Sequence, residues 1–274
     1  MIKLENKKKI VIIKKRRFIL VITVLVILSC LLFYIGSKLN TKLSTNTKMD
    51  LRESVAVNYK KLNLTPLTTD VYKHIYKPDG HKIAYLTFDD GPSATTTSGI
   101  LKTLDNYNIK ATFFIIGNMA IRYPDLVRKE FADGQSIGNH TYSHNYKYIY
   151  SDTNVFIKDV NKCETILKSI LGSKFNSRLV RFPGGSFGKK LEPFRDALRR
   201  DGYNYIDWND LTGDAEGQNI PVGKLLNNLK KYTKGKEHVV ILMHDASTKA
   251  TTVQALPQVI KYLKSQKYSF KTLD

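Results

Sequence analysis

The chain has 274 residues, of which 42% are hydrophobic and 25% charged, so a disordered or fibrous protein is excluded and one substantial domain with accessory segments is expected. Its two cysteines exclude a disulfide framework and a zinc-ribbon cluster. The 44 lysines and arginines against 24 acidic residues give a net charge of +20. Where the basic residues lie along the chain decides which kind of partner this charge indicates.

The amino-terminal segment 1–17 holds eight of the basic residues against one glutamate. An uncharged apolar run over 18–36 follows, and its length suffices to cross about 30 Å of hydrocarbon as a helix. Basic residues before this run and mixed charge after it predict a cytoplasmic segment 1–17, a transmembrane helix 18–36 and an extracellular remainder. The predicted location is therefore the cell membrane, with a single pass.

Two other interpretations of this segment compete with a membrane anchor. A cleaved signal peptide would have a shorter apolar region ending in small residues, and no A-x-A-like site is present. Residues 27–30 resemble a lipoprotein cleavage box that would lipidate Cys30, but the apolar run continues beyond it. The anchor is favoured, and Cys30 is then a residue of the membrane helix.

The part of the chain after residue 36 keeps 36 basic against 23 acidic residues. A diffuse positive charge outside the cell suits an anionic wall or membrane surface. No run of arginines interleaved with aromatic residues supports nucleic-acid binding, so we expect no nucleic-acid partner.

Residues 37–79 are polar, lack sustained periodicity and are expected to form an extracellular stalk before a domain over 80–274. Apolar runs predict strands at 83–88, 111–116, 136–139, 179–182, 203–207, 239–243 and 269–273. Amphipathic stretches predict helices at 98–107, 124–132, 154–171, 192–200, 222–232 and 253–264. This alternation predicts an α/β fold with a mainly parallel sheet, a distorted (β/α) barrel of about seven strands. Cys163, in the third predicted helix, is expected to be free.

Two adjacent carboxylates, Asp89 and Asp90, follow the first predicted strand. In barrels of this kind the chemistry collects at the carboxyl ends of the strands. Adjacent carboxylates there point in different directions, so one can bind a metal while the other handles a proton. An ordinary Asp-Gly-Pro turn with an aspartate helix cap is the structural alternative.

Three further predicted strands end in histidine or arginine residues that could take part in catalysis or metal binding. His140 and His144 follow the third strand, and their spacing lets them close on one divalent ion, although two surface histidines are the structural alternative. Arg181 ends the fourth strand and His244 the penultimate one. Together these strand ends predict a single reactive barrel mouth. The remaining histidines lack this placement and are expected to be surface or strand residues: His74, His81 and His238.

These motifs make the chain resemble the polysaccharide deacetylase (NodB-homology) family, carbohydrate esterase family 4. The resemblance covers about residues 80–274, with TFDDGP at 87–92, an H-T-x-x-H-like motif at 140–144, R-x-P-G-G at 181–185 and L-x-H at 242–244. It implies a distorted barrel and a metal-dependent hydrolase that removes acetyl groups from N-acetylated sugars of a polymer, with 80–274 as catalytic domain. It also implies that Asp90, His140 and His144 bind the metal, usually zinc, and that Asp89 is the general base.

Amide hydrolysis gives the other residues their expected roles. His244 is expected to protonate the departing amine, and Arg181 to orient Asp89 through a charge-assisted hydrogen bond. A backbone N–H in the Gly184 turn is expected to stabilise the oxyanion, and Leu242 to line the pocket for the acetyl methyl group. The metal ligands offer one oxygen and two nitrogens, a set suited to Zn²⁺, with Co²⁺ or Ni²⁺ as substitutes.

The family's fourth motif usually contains an Asp-Trp pair, and the sequence offers one at residues 207–208. The family pattern W-x-x-[DST]-x-x-D-W, laid on residues 208–215, instead places the functional aspartate at Asp214. We expect Asp214 to accept a hydrogen bond from the His244 ring and to raise its pKa. Asp207 and Asp210 remain alternatives.

The same pattern replaces the usual tryptophan by Ala215. This opens one wall of the expected substrate groove, and another aromatic side chain, Trp208 or Phe187, is expected to fill it.

The sequence thus predicts an exported, membrane-anchored deacetylase of a GlcNAc-containing polymer, with cell-wall peptidoglycan favoured as substrate. Poly-N-acetylglucosamine, chitin oligosaccharides and acetylated xylan are alternatives within the same fold. A membrane-tethered, non-catalytic glycan-binding barrel is an alternative of another class, and the presence of Asp89 argues against it. No nucleotide cofactor is expected.

Overall fold

The structure, a computed structural model, describes residues 70–273. The predicted cytoplasmic segment 1–17, the predicted transmembrane helix 18–36 and the stalk up to residue 69 lie outside the described residues. Between residues 70 and 273 no helix combines the length and apolar character needed to cross a membrane.

The described part of the chain alternates strands with helices. The strands are β1 (Ile83–Asp89), β2 (Thr112–Ile115), β3 (Ser136–Asn139), β4 (Leu179–Val180), β5 (Asn204–Tyr205), β6 (Asp210–Leu211), β7 (His238–His244) and β8 (Ser269–Phe270). The α-helices are α1 (Thr97–Asn106), α2 (Gly117–Arg122), α3 (Pro124–Ala132), α4 (Tyr146–Ile149), α5 (Thr153–Leu171), α6 (Glu192–Arg200), α7 (Val222–Thr233) and α8 (Ala250–Ser265). Short 3-10 helices lie at Asp70–Tyr76, Gly172–Lys174, Lys189–Leu191 and Asp214–Glu216.

All strand pairs are parallel, in the order β5-β4-β3-β2-β1-β7-β6, and β8 pairs with the start of β1. The two end strands β5 and β6 are consecutive in the chain, joined by residues 206–209. Within the described residues no ladder joins them, so the sheet is curled without closing into a hydrogen-bonded barrel. This confirms the predicted α/β class and parallel sheet.

β1 and β7 form the centre of the sheet and run side by side over seven residue pairs, from Ile83 opposite His238 to Asp89 opposite His244. Every residue of β1 is buried, which explains its continuous apolar run. Alternate residues point to opposite faces. Leu86 and its neighbours on the outer face pack in the core under helices α1 and α8, whereas Asp89 and His244 share the inner face.

The structure differs from the predicted elements where segments are short. β6 was not predicted because a two-residue strand leaves no periodicity to detect, and helices α2 and α4 were missed for the same reason. The predicted strands at 179–182, 203–207 and 269–273 shrink to two residues each. Cys163 is buried in α5 as a free thiol, as predicted.

The folded unit begins before residue 80, where the sequence placed the end of the stalk. Tyr72 and Ile75 of the first 3-10 helix are buried, and the Ile75 carbonyl is 2.7 Å from Nδ1 of His238. The hydroxyl of Tyr76 donates to the Asp207 carbonyl at 3.1 Å. Residues 70–79 are therefore part of the packed domain.

Candidate active site

β1 ends at Asp89, and Asp90 follows it directly in the chain. Asp89 is 2% exposed and its Oδ1 accepts a hydrogen bond of 2.9 Å from Nη1 of Arg181. The same Nη1 donates to Thr87 Oγ1 at 2.6 Å. Because Thr87 and Asp89 are two residues apart on one strand face, the guanidinium locks the orientation of the Asp89 carboxylate.

Arg181 also links the strand β1 to the segment between β5 and β6. Its side chain is fully buried, lies 4.0 Å from the Phe114 ring centroid, and donates to the carbonyls of Ile206 and Asp207 at 3.2 and 3.3 Å. These carbonyls belong to the segment that joins β5 to β6. One side chain therefore bridges this segment and β1.

Asp90 leaves the strand in a left-handed backbone conformation with φ 76° and turns toward two histidines. Its Oδ1 lies 3.1 Å from Nε2 of His144 and 3.5 Å from Nε2 of His140. The predicted ligands Asp90, His140 and His144 are thus brought together, with one donor atom from each residue within 4.8 Å of the others.

These three donors fit a divalent metal ion. Nδ1 of His140 lies 2.8 Å from the Arg181 carbonyl, which can only accept, so Nδ1 carries the proton and Nε2 keeps its lone pair. Burial and the neighbouring His140 ring lower the pKa of His144 to about 4, so this ring is also neutral at pH 7. Asp90 Oδ1 is buried without a hydrogen-bond donor among the described residues, as a ligand atom awaiting a cation would be.

The loop between the two histidines is held rigidly. Thr141 and His144 both have positive φ, 66° and 51°, a conformation that is strained for a β-branched threonine. Oδ1 of Asp159 accepts the backbone N–H groups of Tyr142 and Ser143 at 2.7 and 2.9 Å. Asp159 is buried in α5, so a helix on the outside of the sheet fixes the spacing of the histidines.

His244 faces Asp89 in register across β7 and β1 and is held by Asp214. Nδ1 of His244 lies 2.8 Å from Oδ1 of Asp214, whose Oδ2 accepts the His244 backbone N–H at 2.8 Å. Thr252 also donates to Oδ2 at 2.8 Å. Burial lowers the pKa of His244, but the Asp214 carboxylate outweighs burial and raises it to about 9.

The two alternatives to Asp214 lie elsewhere. Asp207 accepts hydrogen bonds from the backbone N–H and the hydroxyl of Ser186 at 2.9 and 2.6 Å. Asp210 accepts from Thr233 Oγ1 at 2.6 Å and from the N–H of Leu211. Neither carboxylate contacts His244, so the structure brings only Asp214 to that ring.

Gly184 lies in an exposed turn with φ 77°, which favours glycine, and no hydrogen bond within the described residues uses its N–H. A Cβ at Gly184 would lie 2.8 Å from the Tyr146 ring, so this tyrosine occupies the space that a side chain would need. Tyr146 is 48% exposed and its ring meets that of His144 edge-on at 5.3 Å. It is a rim residue that the sequence analysis did not identify.

Leu242 lies two residues before His244 on the same face of β7, opposite Thr87, and is 7% exposed. It therefore lies below the histidine, inside the curled sheet.

The two aromatic residues expected to fill the wall of the groove contact each other. Ala215 is exposed, whereas Phe187 and Trp208 meet edge-on at 5.5 Å and enclose Gly185, whose Cβ would contact both rings. The two candidate aromatic residues therefore occur together.

Several residues that no sequence pattern indicated support the site from outside it. Thr87 accepts a hydrogen bond from Arg181, and Thr252 donates one to Asp214. Asp159 accepts a backbone N–H of the loop between the two histidines. Thr87 could have been noticed as the first residue of the TFDDGP motif. Thr252 and Asp159 lie on helices and leave no local signal. His74 and His81 are exposed and His238 begins β7, away from the site, as expected.

Comparisons with known proteins agree with this geometry. Residues 76–206 match the family model described as polysaccharide deacetylase. A peptidoglycan-N-acetylglucosamine deacetylase of Bacillus cereus is 34% identical over 195 residues, which cover 69% of this chain and 68% of that protein.

Two solved structures share the fold. A carbohydrate esterase family 4 esterase of Streptococcus mutans superposes with a TM-score of 0.68 at 30% identity, covering 76% of this chain and 92% of its own. The catalytic domain of a peptidoglycan N-acetylglucosamine deacetylase from Eubacterium rectale gives a TM-score of 0.64 at 31% identity, with coverage of 73% and 91%. On this identity and coverage, the chain belongs to the polysaccharide deacetylase family, whose members are metal-dependent hydrolases.

Proposed function

We propose that the chain hydrolyses the N-acetyl group of GlcNAc residues in a polysaccharide, and that its substrate is cell-wall peptidoglycan. The observation that carries this proposal is the register of β1 and β7, which sets the carboxylate of Asp89 directly opposite the imidazole of His244, beside a metal-type donor set. Relatives named as peptidoglycan deacetylases support the choice of substrate.

Asp90, His140 and His144 would hold the metal, and one oxygen with two nitrogens suits Zn²⁺, with Co²⁺ or Ni²⁺ as substitutes. When bound, such an ion supplies a Lewis acid that activates water and polarises the acetyl carbonyl.

Asp89 is the general base that takes the proton of the attacking water. Arg181, whose Nη1 is itself held by Thr87 Oγ1, fixes the Asp89 carboxylate through Oδ1, so Oδ2 faces the site, 3.8 Å from Nε2 of His140. Arg181 is therefore a positioning residue, and its complete burial keeps the orientation rigid.

His244 is the general acid. Asp214 keeps its Nδ1 protonated and its pKa high, so Nε2 holds a proton to deliver at neutral pH. The C–N bond of the amide breaks, the sugar nitrogen takes this proton and leaves as a free amine, and the acetyl group leaves as acetate.

The tetrahedral oxyanion is stabilised by the N–H of Gly184, which no group of the described protein occupies. Leu242 lines the bottom of the site for the acetyl methyl group. A small apolar floor below a histidine suits acetyl and disfavours longer acyl groups.

We further propose that the predicted helix 18–36 anchors the enzyme in the cell membrane, with the catalytic domain outside. The basic segment 1–17 and the uncharged run after it support this orientation.

The test is release of acetate by the purified chain from peptidoglycan, poly-N-acetylglucosamine, chitin oligosaccharides and acetylated xylan in parallel. Activity on peptidoglycan that a chelator abolishes and Zn²⁺ restores is the expected result. Inertness toward peptidoglycan, or preference for xylan, would contradict the substrate. Stoichiometric Zn²⁺ without turnover on any polymer would favour a glycan-binding protein. Full activity of the metal-free protein would contradict a metal-dependent mechanism.

A further inference from the structure

The amino ends of the strands carry two adjoining grooves, at the end of the domain opposite the active site. One has a volume of about 620 Å³ and the other about 350 Å³, and Tyr268 lines both. We call this surface the lysine pole. Its members are the lysines and tyrosines that line the grooves: Lys82, Lys110, Lys230, Lys234, Lys236, Lys264 and Lys271, with Tyr107, Tyr262 and Tyr268.

No salt bridge between residues 70 and 273 involves a lysine of the lysine pole, although the buried Asp210 acts electrostatically on Lys236. Glu237 is the one acidic residue lining either groove, and its Oε2 is engaged by the N–H groups of Asp79 and Gly80 at 2.8 Å each. Within residues 70–273 the lysines that form salt bridges lie elsewhere, at positions 129, 168 and 224. Six of these lysines are exposed around two concave surfaces, whereas Lys236 is half-buried and its ammonium donates to the Asn209 carbonyl.

Helix electrostatics explain only part of this cluster. Lys230 and Lys264 lie in the last turns of α7 and α8, where the helix dipole favours a positive charge. Lys82, Lys110 and Lys271 lie outside the helices, and nothing in the helix termini requires them. Helix electrostatics therefore do not account for these three lysines.

Three of the lysines are supported by the groove tyrosines. The ammonium of Lys82 lies 5.4 Å from the ring centroid of Tyr268, and that of Lys264 lies 5.3 Å from Tyr107. Lys230 is placed in the same way over another groove tyrosine, at 5.7 Å. Such contacts restrict these flexible side chains, so less conformational entropy is lost when they bind an anion.

We propose that the lysine pole binds a linear polyanion whose repeating units are joined by phosphodiesters. Lysine ammonium groups are strong phosphate ligands, and two grooves that meet at Tyr268 suit a chain with regularly spaced charges. The exposed large apolar residues of the described chain are Ile121, Tyr146 and Tyr148, and none lines the pole. Its aromatic residues, among them Tyr107 and Phe270, are at least half-buried, so the pole presents no large, fully exposed apolar side chain to a lipid bilayer.

The position of the pole leaves the active site free. Lys82 immediately precedes β1 and Asp89 ends it, and a strand of this length separates the two by roughly 20 Å. A polyanion held at the lysine pole would tether the domain without competing for the sugar substrate.

The test measures binding of poly(glycerol phosphate) to the full chain in detergent. We expect Lys82→Gln/Lys230→Gln/Lys234→Gln to weaken binding at least tenfold. The second triple, Lys110→Gln/Lys264→Gln/Lys271→Gln, examines the larger groove in the same way. A charge-matched control, Lys102→Gln/Lys158→Gln/Lys174→Gln, removes three exposed lysines that line neither groove and is expected to change binding less than twofold.

Unchanged thermal unfolding and acetate release in all three variants would show that each folds normally, and the binding readout does not depend on turnover. Equal weakening by the control and the pole variants would overturn the proposal, because net charge alone would then account for binding. Binding to phosphatidylglycerol vesicles without binding to the polymer would also overturn it, in favour of a membrane surface.

Discussion

The carboxylate of Asp214 accepts two hydrogen bonds from His244. Oδ1 accepts from Nδ1 of the ring and Oδ2 from the backbone N–H, both at 2.8 Å. A hydroxyl from Thr252 adds a third bond to this carboxylate. The ring can therefore neither rotate nor lose its partner when His244 gives up its proton. Asp214 is fully desolvated, and the charge of His244 holds the pKa of its carboxyl below the ordinary value.

Substituting Asp214→Asn is expected to lower kcat by about 100-fold or more, the usual contribution of a positioned general acid, with the metal still bound. The matched control is Asp207→Asn, since Asp207 is equally buried but holds the turn at Ser186. It is expected to be milder. Steady-state acetate release and metal content are measured for both variants. A large loss of kcat in Asp207→Asn with nearly normal kcat in Asp214→Asn would show that Asp207, and not Asp214, supports His244.

The pH profile gives an independent check of the same pair. The proposed general acid His244 must be protonated to act, so activity is expected to fall as pH rises through its pKa, which Asp214 raises. Asp214→Asn removes this charge and should move the alkaline limb of kcat to lower pH by one unit or more. A bound metal acts on the ring in both proteins, so the difference between profiles isolates Asp214. An unmoved limb would mean that another group sets it.

Much of the site could be predicted because its residues follow strands whose apolar runs are visible in the sequence. Asp90, His140 and His144 come from two such strand ends, and parallel strands bring their carboxyl ends to one edge of a sheet. The partner of His244 was predictable only from a family pattern, because Asp214 follows a two-residue strand with no periodicity of its own.

What the sequence could not show are contacts between distant, individually ordinary residues. Thr252 reaches Asp214 from α8, and Tyr146 fills the space beside Gly184 from α4. The guanidinium of Arg181 links β1 to the segment between β5 and β6 through two backbone carbonyl groups. Backbone carbonyls are present at every position, so no sequence pattern identifies the ones that are used.

The loop that carries the two histidines should depend on Asp159. Asp159→Ala removes the acceptor for two backbone N–H groups and is expected to lower metal affinity about tenfold, because supporting groups around metal ligands have effects of this size. Asp159→Asn keeps a carbonyl oxygen that can accept these hydrogen bonds. Its metal affinity is therefore expected to lie between that of Asp159→Ala and that of the natural protein. Competition titration with a metal indicator measures affinity without reference to activity. Equal metal affinity of the alanine variant and the natural protein would show that the loop keeps its conformation without Asp159.

Glu130 is expected to destabilise the domain. It is fully buried in α3, and neither carboxylate oxygen has a hydrogen-bond partner among the described residues. Burial, with a contribution from the charge of Asp245, raises its pKa well above the ordinary value. The folded state therefore retains a proton that the unfolded state releases above about pH 4.3, so this group's contribution to stability falls as pH rises.

Glu130→Gln removes the ionisation while keeping the shape and polarity of the side chain. The variant should unfold about 2–4 °C higher than the natural protein at pH 8, and the difference should shrink toward pH 5. Glu130→Met, which also removes the polar atoms, should gain at both pH values. Thermal unfolding followed by circular dichroism at pH 5 and 8 measures both, and a pH-independent difference for Glu130→Gln would show that ionisation plays no part.

The contact between Gly184 and Tyr146 should control access to the oxyanion site. A Cβ at residue 184 meets the Tyr146 ring at 2.8 Å, and the φ of 77° adds backbone strain that any side chain would suffer. Gly184→Ala is therefore expected to displace the ring or the turn and to lower kcat/KM by at least tenfold.

A double variant separates these two causes. Tyr146→Ala alone opens the rim and is expected to raise KM with little change in kcat, since the ring lies beside His144 without holding it by a hydrogen bond. In Gly184→Ala/Tyr146→Ala the steric clash disappears but the strain stays, so kcat should recover in part. Kinetics of the two single variants and the double variant on a GlcNAc oligosaccharide give the coupling. Strict additivity of their effects would show that Gly184 is required only for its backbone conformation, and that Tyr146 does not shape the oxyanion site.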